Sequence, residues 1–228
     1  MTFMEKFQFN FLENSRWQFM VTGLKNTLLI SVFAVILGVA LGFLIAIVGS
    51  FHDKTGQLKI LNFLCRVYLT VIRGTPAMVQ LLIVYYVIFA SVNIDKLLVA
   101  VIAFGLNSAA YVAEIIRSGI MSIDEGQTEA GRSLGLSFTQ TMRLIILPQA
   151  LKNVLPALGN EFIVLLKETS ISGYIGLMDL TRGGDIIRSQ TYEALFPLLA
   201  VATIYLLIVC FLSYLVDRLE RRLRVSER

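Results

Sequence analysis

The chain has 228 residues, of which 56% are hydrophobic and only 16% are charged. A soluble domain carries roughly 25% charged residues, so a soluble fold of this composition would have too few polar side chains to cover its surface. The net charge of +4 does not indicate a nucleic-acid-binding surface, because five of the twenty basic residues lie in the last eleven positions. The composition therefore predicts a protein embedded in a membrane.

Runs without charged residues predict five membrane-spanning helices. About 20 helical residues cross a hydrocarbon core of about 30 Å. In chain order the runs cover residues 26–51, 74–94 with an apolar stretch at 67–72 before it, 97–113, a stretch starting near 153, and 194–216. The fourth run is the weakest, because Glu161, Lys167 and Glu168 interrupt it. We therefore expect an all-α membrane protein with about five transmembrane helices.

Lysine and arginine residues in the connections predict the orientation, since these residues concentrate in short cytoplasmic connections. Six of them lie on the side of the N-terminus. Twelve lie in the first connection, the third connection and the C-terminal tail: Lys54, Lys59, Arg66, Arg117, Arg132, Arg143, Lys152, Arg218, Arg221, Arg222, Arg224 and Arg228. We therefore expect the N-terminus outside and the C-terminus in the cytoplasm, which requires an odd number of spans.

The two cysteines and the single histidine show no spacing typical of a metal site or a nucleophile. Cys65 and Cys210 lie within or beside apolar runs, which favours buried, unreactive thiols. His52 stands next to Asp53 in a polar turn. We predict neither a catalytic residue nor a metal ligand in this chain.

A polar segment at residues 122–148 interrupts the apolar pattern on the predicted cytoplasmic side. Ser122 with Glu125, and Ser137 with Gln140, have the three-residue spacing of capping boxes, which begin helices. The segment is therefore predicted to form two short helices.

The same segment contains signals for where these helices end. Gly135 is suited to a left-handed end of the first helix, and Pro148 is expected to limit the second. An apolar surface would be formed by Ala130, Leu134, Leu136, Phe138, Met142 and Ile145. Two uses of such a surface remain open on these residues alone: docking against a protein partner, or lying on the lipid headgroups.

Glu129-Ala130, then Gly135, and nine residues later the sequence IILP at 145–148 resemble the EAA loop of ABC importer transmembrane subunits. The third letter of that motif is alanine in the family and Gly131 here. Further matches narrow the resemblance to the permease subunits of polar amino-acid ABC uptake systems, over residues from about 23 to 219. They lie at residues 73–76, 110–115, 126–127, 148–150 and 166–170.

The resemblance implies a single transmembrane permease domain over residues 1–228, with a cytoplasmic coupling loop at about 122–148. In the family this loop docks into a separate ATPase, so the implied coupling residues are Glu129, Ala130, Gly135, Leu136 and Phe138. The chain has no G-x-x-x-x-G-K-[ST] motif, so ATP and Mg²⁺ would be bound by the partner and no cofactor by this chain. A second permease subunit, identical or paralogous, and an extracytoplasmic solute-binding protein complete the expected partners, in the bacterial cytoplasmic membrane.

Ionisable and polar residues inside the predicted spans are candidates for the substrate pathway. Glu161 and Glu168 are seven residues apart and share one helix face, about 10 Å apart along the axis. Asn107 and Glu114 have the same spacing on the third span. Two polar faces predict a polar cleft between helices, although Glu114 is expected to pair with Arg117.

The sequence Arg73-Gly74-Thr75-Pro76 is expected to break the second span. Glycine and proline free backbone groups that protein or water must satisfy, as is typical where a pathway crosses the membrane. Arg73 is expected to cap the freed carbonyl groups; binding a substrate carboxylate is the alternative. We include Arg73, Asn107, Glu161 and Glu168 as candidate substrate-binding residues.

Two carboxylates on one face favour a cationic substrate such as arginine, lysine or histidine, because charge interactions are strong in a low-dielectric cleft. Glutamine, glutamate or another polar amino acid is the alternative substrate. A channel or secondary transporter that works alone and a membrane scaffold are the other function classes. The capped cytoplasmic segment argues against them, since a self-sufficient carrier has no need of a docking loop.

Overall fold

The computed structural model describes residues 2–225, without the side chains of residues 54, 224 and 225. Within this range the chain is helical and has no strands. Ten α-helices follow one another: α1 Phe3–Phe7, α2 Trp17–Thr55, α3 Lys59–Gly74, α4 Ala77–Ile83, α5 Lys96–Met121, α6 Glu125–Ser133, α7 Phe138–Thr141, α8 Leu147–Glu168, α9 Leu180–Thr191 and α10 Leu195–Val225. Arg228 and the side chains of Lys54 and Arg224, which entered the orientation count, lie outside the described residues.

Five further helical segments, which are not α-helical, connect or extend these helices. They are π-helical at Gln8–Leu12, Val84–Ile88 and Met142–Ile146, and 3₁₀ at Glu13–Ser15 and Thr169–Ile175. The turn at Val84–Ile88 extends α4, and the turn at Met142–Ile146 joins α7 to α8 without a break in the helical path.

Three helices of the described part, α2, α5 and α10, are long and apolar enough to cross a membrane. The pair α3 and α4 passes the same test when its two helices are counted together as one broken span. The predicted all-α membrane fold is therefore confirmed. The fourth predicted span corresponds to α8, which has 22 residues but carries four charged ones, and it remains a prediction.

The second predicted span is not one straight helix, contrary to the run at 74–94. α3 ends at Gly74, α4 begins at Ala77, and the two are bent by 113°. Thr75 is extended, with φ −126° and ψ 149°, because the ring of Pro76 disfavours the helical conformation for the preceding residue. The break was predicted from the same residues, but its angle was not.

The centre of the bundle is the contact between α2 and α5, which small residues allow. A Cβ atom on Gly38 would lie 2.9 Å from Ser108 Oγ, and one on Gly42 would lie 2.7 Å from Val112 Cγ1. Glycines four positions apart let two membrane helices approach closely. A buried apolar cluster that includes Ile30, Leu81 and Phe104 continues this contact toward α4.

Near the start of α2, buried polar groups fix α9 against this helix. The Asp179 carboxylate accepts the Thr181 backbone N–H at 2.9 Å and caps α9. The Leu180 backbone N–H donates to Thr27 Oγ1 at 3.1 Å. Burial raises the pKa of Asp179 above its usual value, because removal from water disfavours the charged form.

Candidate functional site

The helix pair formed by the predicted cytoplasmic segment consists of α6, the turn at 134–136 and α7. Its first cap differs from the predicted one. Asp124 Oδ1, not Ser122, caps α6, by accepting the Gly126 backbone N–H at 2.7 Å. Ser122 instead ends α5, and its hydroxyl donates to the Gly119 carbonyl at 2.8 Å. The prediction was wrong because α5 continues to Met121 and occupies the position that Ser122 would need for a cap.

The turn between α6 and α7 has the predicted left-handed glycine. Gly135 has φ +82°, and its N–H donates to the Arg132 carbonyl at 3.0 Å. The Leu136 N–H donates to the Gly131 carbonyl at 3.1 Å. These two bonds form a Schellman motif, the commonest glycine-dependent helix end.

The start of α7 is also as predicted, whereas its end is not. Ser137 Oγ accepts the Gln140 N–H at 3.3 Å, and Gln140 Oε1 accepts the Ser137 N–H at 2.8 Å, which completes a capping box. Pro148 was expected to limit this helix, but it lies in the first turn of α8. The preceding π-helical turn uses wider hydrogen bonds, so the missing N–H of Pro148 does not interrupt the helical path.

The predicted coupling residues differ in how far they are exposed. Glu129 and Ala130 are exposed, whereas Leu136 and Phe138 are half-buried. Leu134 is 80% exposed, a large value for an apolar side chain on the outside of a capped, ordered turn. Gly131 is buried instead, because it faces α7: a Cβ atom there would lie 2.6 Å from Thr141 Cγ2.

The charged residues of the broken span form ion pairs. Arg73 Nη1 lies 3.3 Å from Glu114 Oε2, which joins the end of α3 to α5. Arg117 binds the same carboxylate, as predicted. The expectation that Arg73 caps the freed carbonyl groups is therefore wrong, since its guanidinium binds a carboxylate on another helix. A cavity of about 450 Å³ adjoins this group, between α2, α3 and α5.

The carbonyl groups freed by the break are capped by Gln80. Its Nε2 donates to the Ile72 carbonyl at 2.8 Å and to the Thr75 carbonyl at 3.0 Å. Its Oε1 accepts from Asn107 Nδ2 at 2.9 Å, and Asn107 is only 3% exposed. A glutamine supplies both donors and an acceptor. The hydrogen bond between Asn107 and Gln80 thus connects α5 to the broken span.

The carboxylate of Glu161 faces α5 and is half-buried. Ser108 Oγ donates to Glu161 Oε1 at 2.9 Å. Glu168, two turns further along α8, is half-buried as well, while the adjacent Lys167 is exposed. The predicted polar faces of α5 and α8 therefore meet at Glu161. They do not meet at Glu114, which the two arginines occupy.

The four candidate substrate-binding residues lie at separate places. Glu161 contacts Ser108, the neighbour of Asn107 on α5, whereas the Asn107 side chain binds Gln80. Glu168 lies two turns further along α8. Arg73 lies beside Glu114, seven residues after Asn107 on α5, or about 10 Å along its axis. Sequence reasoning missed Gln80 and Ser108. The available signal for Gln80 was a lone amide in an uncharged run close to a proline.

The cysteines are free, and the described residues contain no group of histidine, cysteine and acidic residues that could hold a metal ion. Cys65 is half-buried, but Cys210 is exposed, contrary to the expectation of two buried thiols. The reason is that Cys210 lies on the outward face of α10, a helix whose apolar face is largely uncovered by the rest of the chain.

Comparison with known proteins decides the family. The family described as "Binding-protein-dependent transport system inner membrane component" matches residues 38–225. The chain belongs to this family. The glutamine transport system permease protein GlnP of Escherichia coli K12 is 42% identical over 209 residues, which is 90% of this chain and 93% of that protein. A putative GlnP of Rickettsia typhi is 39% identical over 210 residues, with 91% and 94% covered.

Solved structures agree with this result. A crystal structure of an amino acid ABC transporter with histidines has a TM-score of 0.84 and 44% identity, and the match covers 93% of this chain and 98% of that one. The predicted resemblance to permease subunits of polar amino-acid ABC uptake transporters is confirmed. The chain is therefore a transport subunit, and hydrolysis of ATP belongs to a partner ATPase. Membership also implies a solute-binding protein and a second permease.

Proposed function

We propose that this chain is the permease subunit of an ATP-driven importer of polar amino acids in the bacterial cytoplasmic membrane. The importer class follows from the family, and the amino-acid substrate is supported by the names of relatives of nearly the same length. As a single permease domain, the chain forms the translocation pathway together with a second permease subunit. ATP and Mg²⁺ bind to the partner ATPase, and this chain holds no cofactor.

The substrate that the geometry supports best is a cationic amino acid. Glu161 and Glu168 lie on one side of α8, and both side chains are half-buried. An ammonium group, which every amino acid carries, pairs with one carboxylate; a second positive charge pairs with the other. The related crystal structure of an amino acid ABC transporter with histidines supports this class.

Glutamine is the second candidate, because the relatives at 38–42% identity are named as glutamine permeases. A glutamine side chain needs one donor and one acceptor, which a single carboxylate and a neighbouring amide supply. In this alternative, Asn107 contributes to binding and Glu168 has a structural role.

Uptake by the complete transporter in vesicles separates the two candidates. The permease is reconstituted with its ATPase and its binding protein, and ATP-driven uptake of labelled L-arginine and L-glutamine is measured. We expect faster uptake of arginine. Uptake of glutamine alone would replace the cationic assignment by the second candidate, and uptake without the ATPase would contradict the importer itself.

The cytoplasmic helix pair is the proposed contact with the ATPase. Its support is a rigid, doubly capped turn that presents Leu134 to solvent, beside the exposed Glu129 and Ala130. An apolar side chain on such a turn fits a groove on a protein surface. Leu136 and Phe138 are half-buried beside this turn.

The proposed orientation places Ser91 outside and Ser137 in the cytoplasm. Both side chains are exposed, so a cysteine at either position is accessible to a water-soluble reagent. In a background with Cys65→Ala and Cys210→Ala, we expect Ser91→Cys to react with a membrane-impermeant thiol reagent in intact cells. Ser137→Cys should react only after the membrane is opened. The opposite pattern would overturn the orientation.

A further inference from the structure

The hydroxyl group of Ser108 is directed in an unusual way for a residue inside a helix. Buried or membrane-facing hydroxyl groups on helices commonly donate to the carbonyl four residues earlier in the same helix. Ser31, Thr70, Thr191 and Thr203 all do so, at 2.7–2.9 Å. Ser108 instead donates across the helix interface to Glu161 on α8.

The position of this hydroxyl is fixed from two sides. Ser108 is fully buried and faces Gly38 of α2. A Cβ atom on Gly38 would lie 2.9 Å from both Ser108 Cβ and Ser108 Oγ. Its neighbour Asn107 is bonded to Gln80, which fixes the rotation of α5 at this point. Because the serine cannot move toward α2, its hydroxyl remains directed at the carboxylate.

We infer that Ser108 is a positioning residue for Glu161, held in place by Gly38. A carboxylate on a flexible side chain binds an ammonium group well only when its orientation is fixed before the substrate arrives. The Ser108 hydroxyl fixes one oxygen of Glu161 and leaves the second for the substrate. This inference rests on the proposed role of Glu161 in substrate binding.

Equilibrium binding to the purified permease–ATPase complex tests the positioning role of Ser108. The solute-binding protein is left out, because its own affinity for the amino acid would mask the effect. The probes are labelled L-arginine and L-glutamine. For Ser108→Ala we expect an increase in Kd of about tenfold for each amino acid that the complex binds, the usual size for loss of a hydrogen bond to a charged group. Ser31→Ala is the matched control, because Ser31 is equally buried but donates within α2; its Kd should stay within about twofold.

A size exchange separates positioning from packing. Gly38→Ala alone should push on Ser108 and lower both the thermal unfolding midpoint and the affinity. Gly38→Ala combined with Ser108→Gly removes the hydroxymethyl group from α5 and adds a methyl group on the facing side of α2. It should recover the unfolding midpoint but keep the weak binding of Ser108→Ala. Recovery of binding together with stability would show a packing role only and overturn the inference.

A double-mutant cycle with Glu161→Gln distinguishes failure of this inference from failure of the site. If Ser108 acts through Glu161, Ser108→Ala should add no further loss of affinity in the Glu161→Gln background. Weak binding by Glu161→Gln with normal binding by Ser108→Ala would overturn the positioning role and leave the site intact. Normal binding by Glu161→Gln would overturn the proposed role of Glu161.

Discussion

In the helix pair of α6 and α7, the hydrogen bonds of the caps and the turn join residues two to five positions apart. In the polar cluster around α5, the bonds that α5 makes with other helices join residues 27 to 53 positions apart. The first region is therefore specified by its own short sequence, whereas the second exists only after four helices have packed. The proposed docking element is thus fixed by local contacts, whereas the shape of the proposed pathway depends on how the helices are arranged.

The largest expected effect concerns the turn of the helix pair. Gly135→Pro replaces a residue at φ +82° by one restricted to about −65°, and it removes the N–H that binds Arg132. We expect ATP-driven uptake to be lost while the amount of inserted permease is unchanged, since no span is altered. Uptake and ATPase activity are measured together in vesicles.

The matched control for that variant is Gly135→Asn, because asparagine tolerates the left-handed conformation. It should retain most of the uptake. Normal uptake by Gly135→Pro would contradict the coupling role of the pair. Equal loss in both variants would mean that the glycine is required for a reason other than its conformation.

The second prediction concerns the carboxylates of α8. Glu161→Gln and Glu168→Gln each keep the size of the side chain and remove its charge. If both bind a cationic substrate, each should slow uptake of arginine about tenfold, corresponding to about 1.4 kcal/mol. A neutral amino acid has only its α-ammonium group to pair, so only one of the two variants should slow its uptake to this extent. Uptake of labelled arginine is measured in competition with unlabelled arginine or glutamine, which gives the preference of each variant for arginine over glutamine. Normal transport of arginine by both variants would exclude this function for the pair.

Sequence reasoning predicted the two regions to different extents, and the reason is their range of contacts. Gly135 and the Ser137–Gln140 cap were predictable, since their partners are near neighbours in the chain. The roles of Arg73 and Gln80 were not predictable from the sequence. Arg73 pairs with Glu114 on another helix, and Gln80 reaches its carbonyl partners because α3 and α4 are bent by 113°. The seven-residue spacing correctly placed polar faces on α5 and α8, but it did not identify Ser108 as the point of contact.

The third prediction concerns the broken span. Gln80→Leu keeps the volume but removes the groups that cap the Ile72 and Thr75 carbonyls, and it leaves the buried Asn107 amide without its acceptor. A buried polar group that loses its partner costs about 1–3 kcal/mol, so the thermal unfolding midpoint of the detergent-solubilised complex should fall.

Adding Asn107→Leu to that variant provides the control. Removal of both partners should recover part of the midpoint, because no amide is then left buried without a partner. A midpoint that falls further in the double variant would show that Asn107 has another essential contact. The single and double variants thus test whether Asn107 on α5 and the break between α3 and α4 are coupled through Gln80.

The smallest expected effect concerns the position where this chain departs from the EAA pattern. Gly131→Ala restores the family's letter, but its Cβ atom would lie 2.6 Å from Thr141 Cγ2 and 2.9 Å from Thr141 Oγ1. Thr141 is fully buried and its hydroxyl donates to the Ser137 carbonyl, so it cannot turn away without losing a bond. Overpacking of this kind costs about 1–3 kcal/mol, and we expect a several-fold decrease in coupled uptake. Thr141→Ala in the same chain removes both close contacts and should restore the rate. If Gly131→Ala alone is fully active, the spacing of α6 and α7 adjusts freely, and the pair is not the rigid element that its caps and its turn indicate.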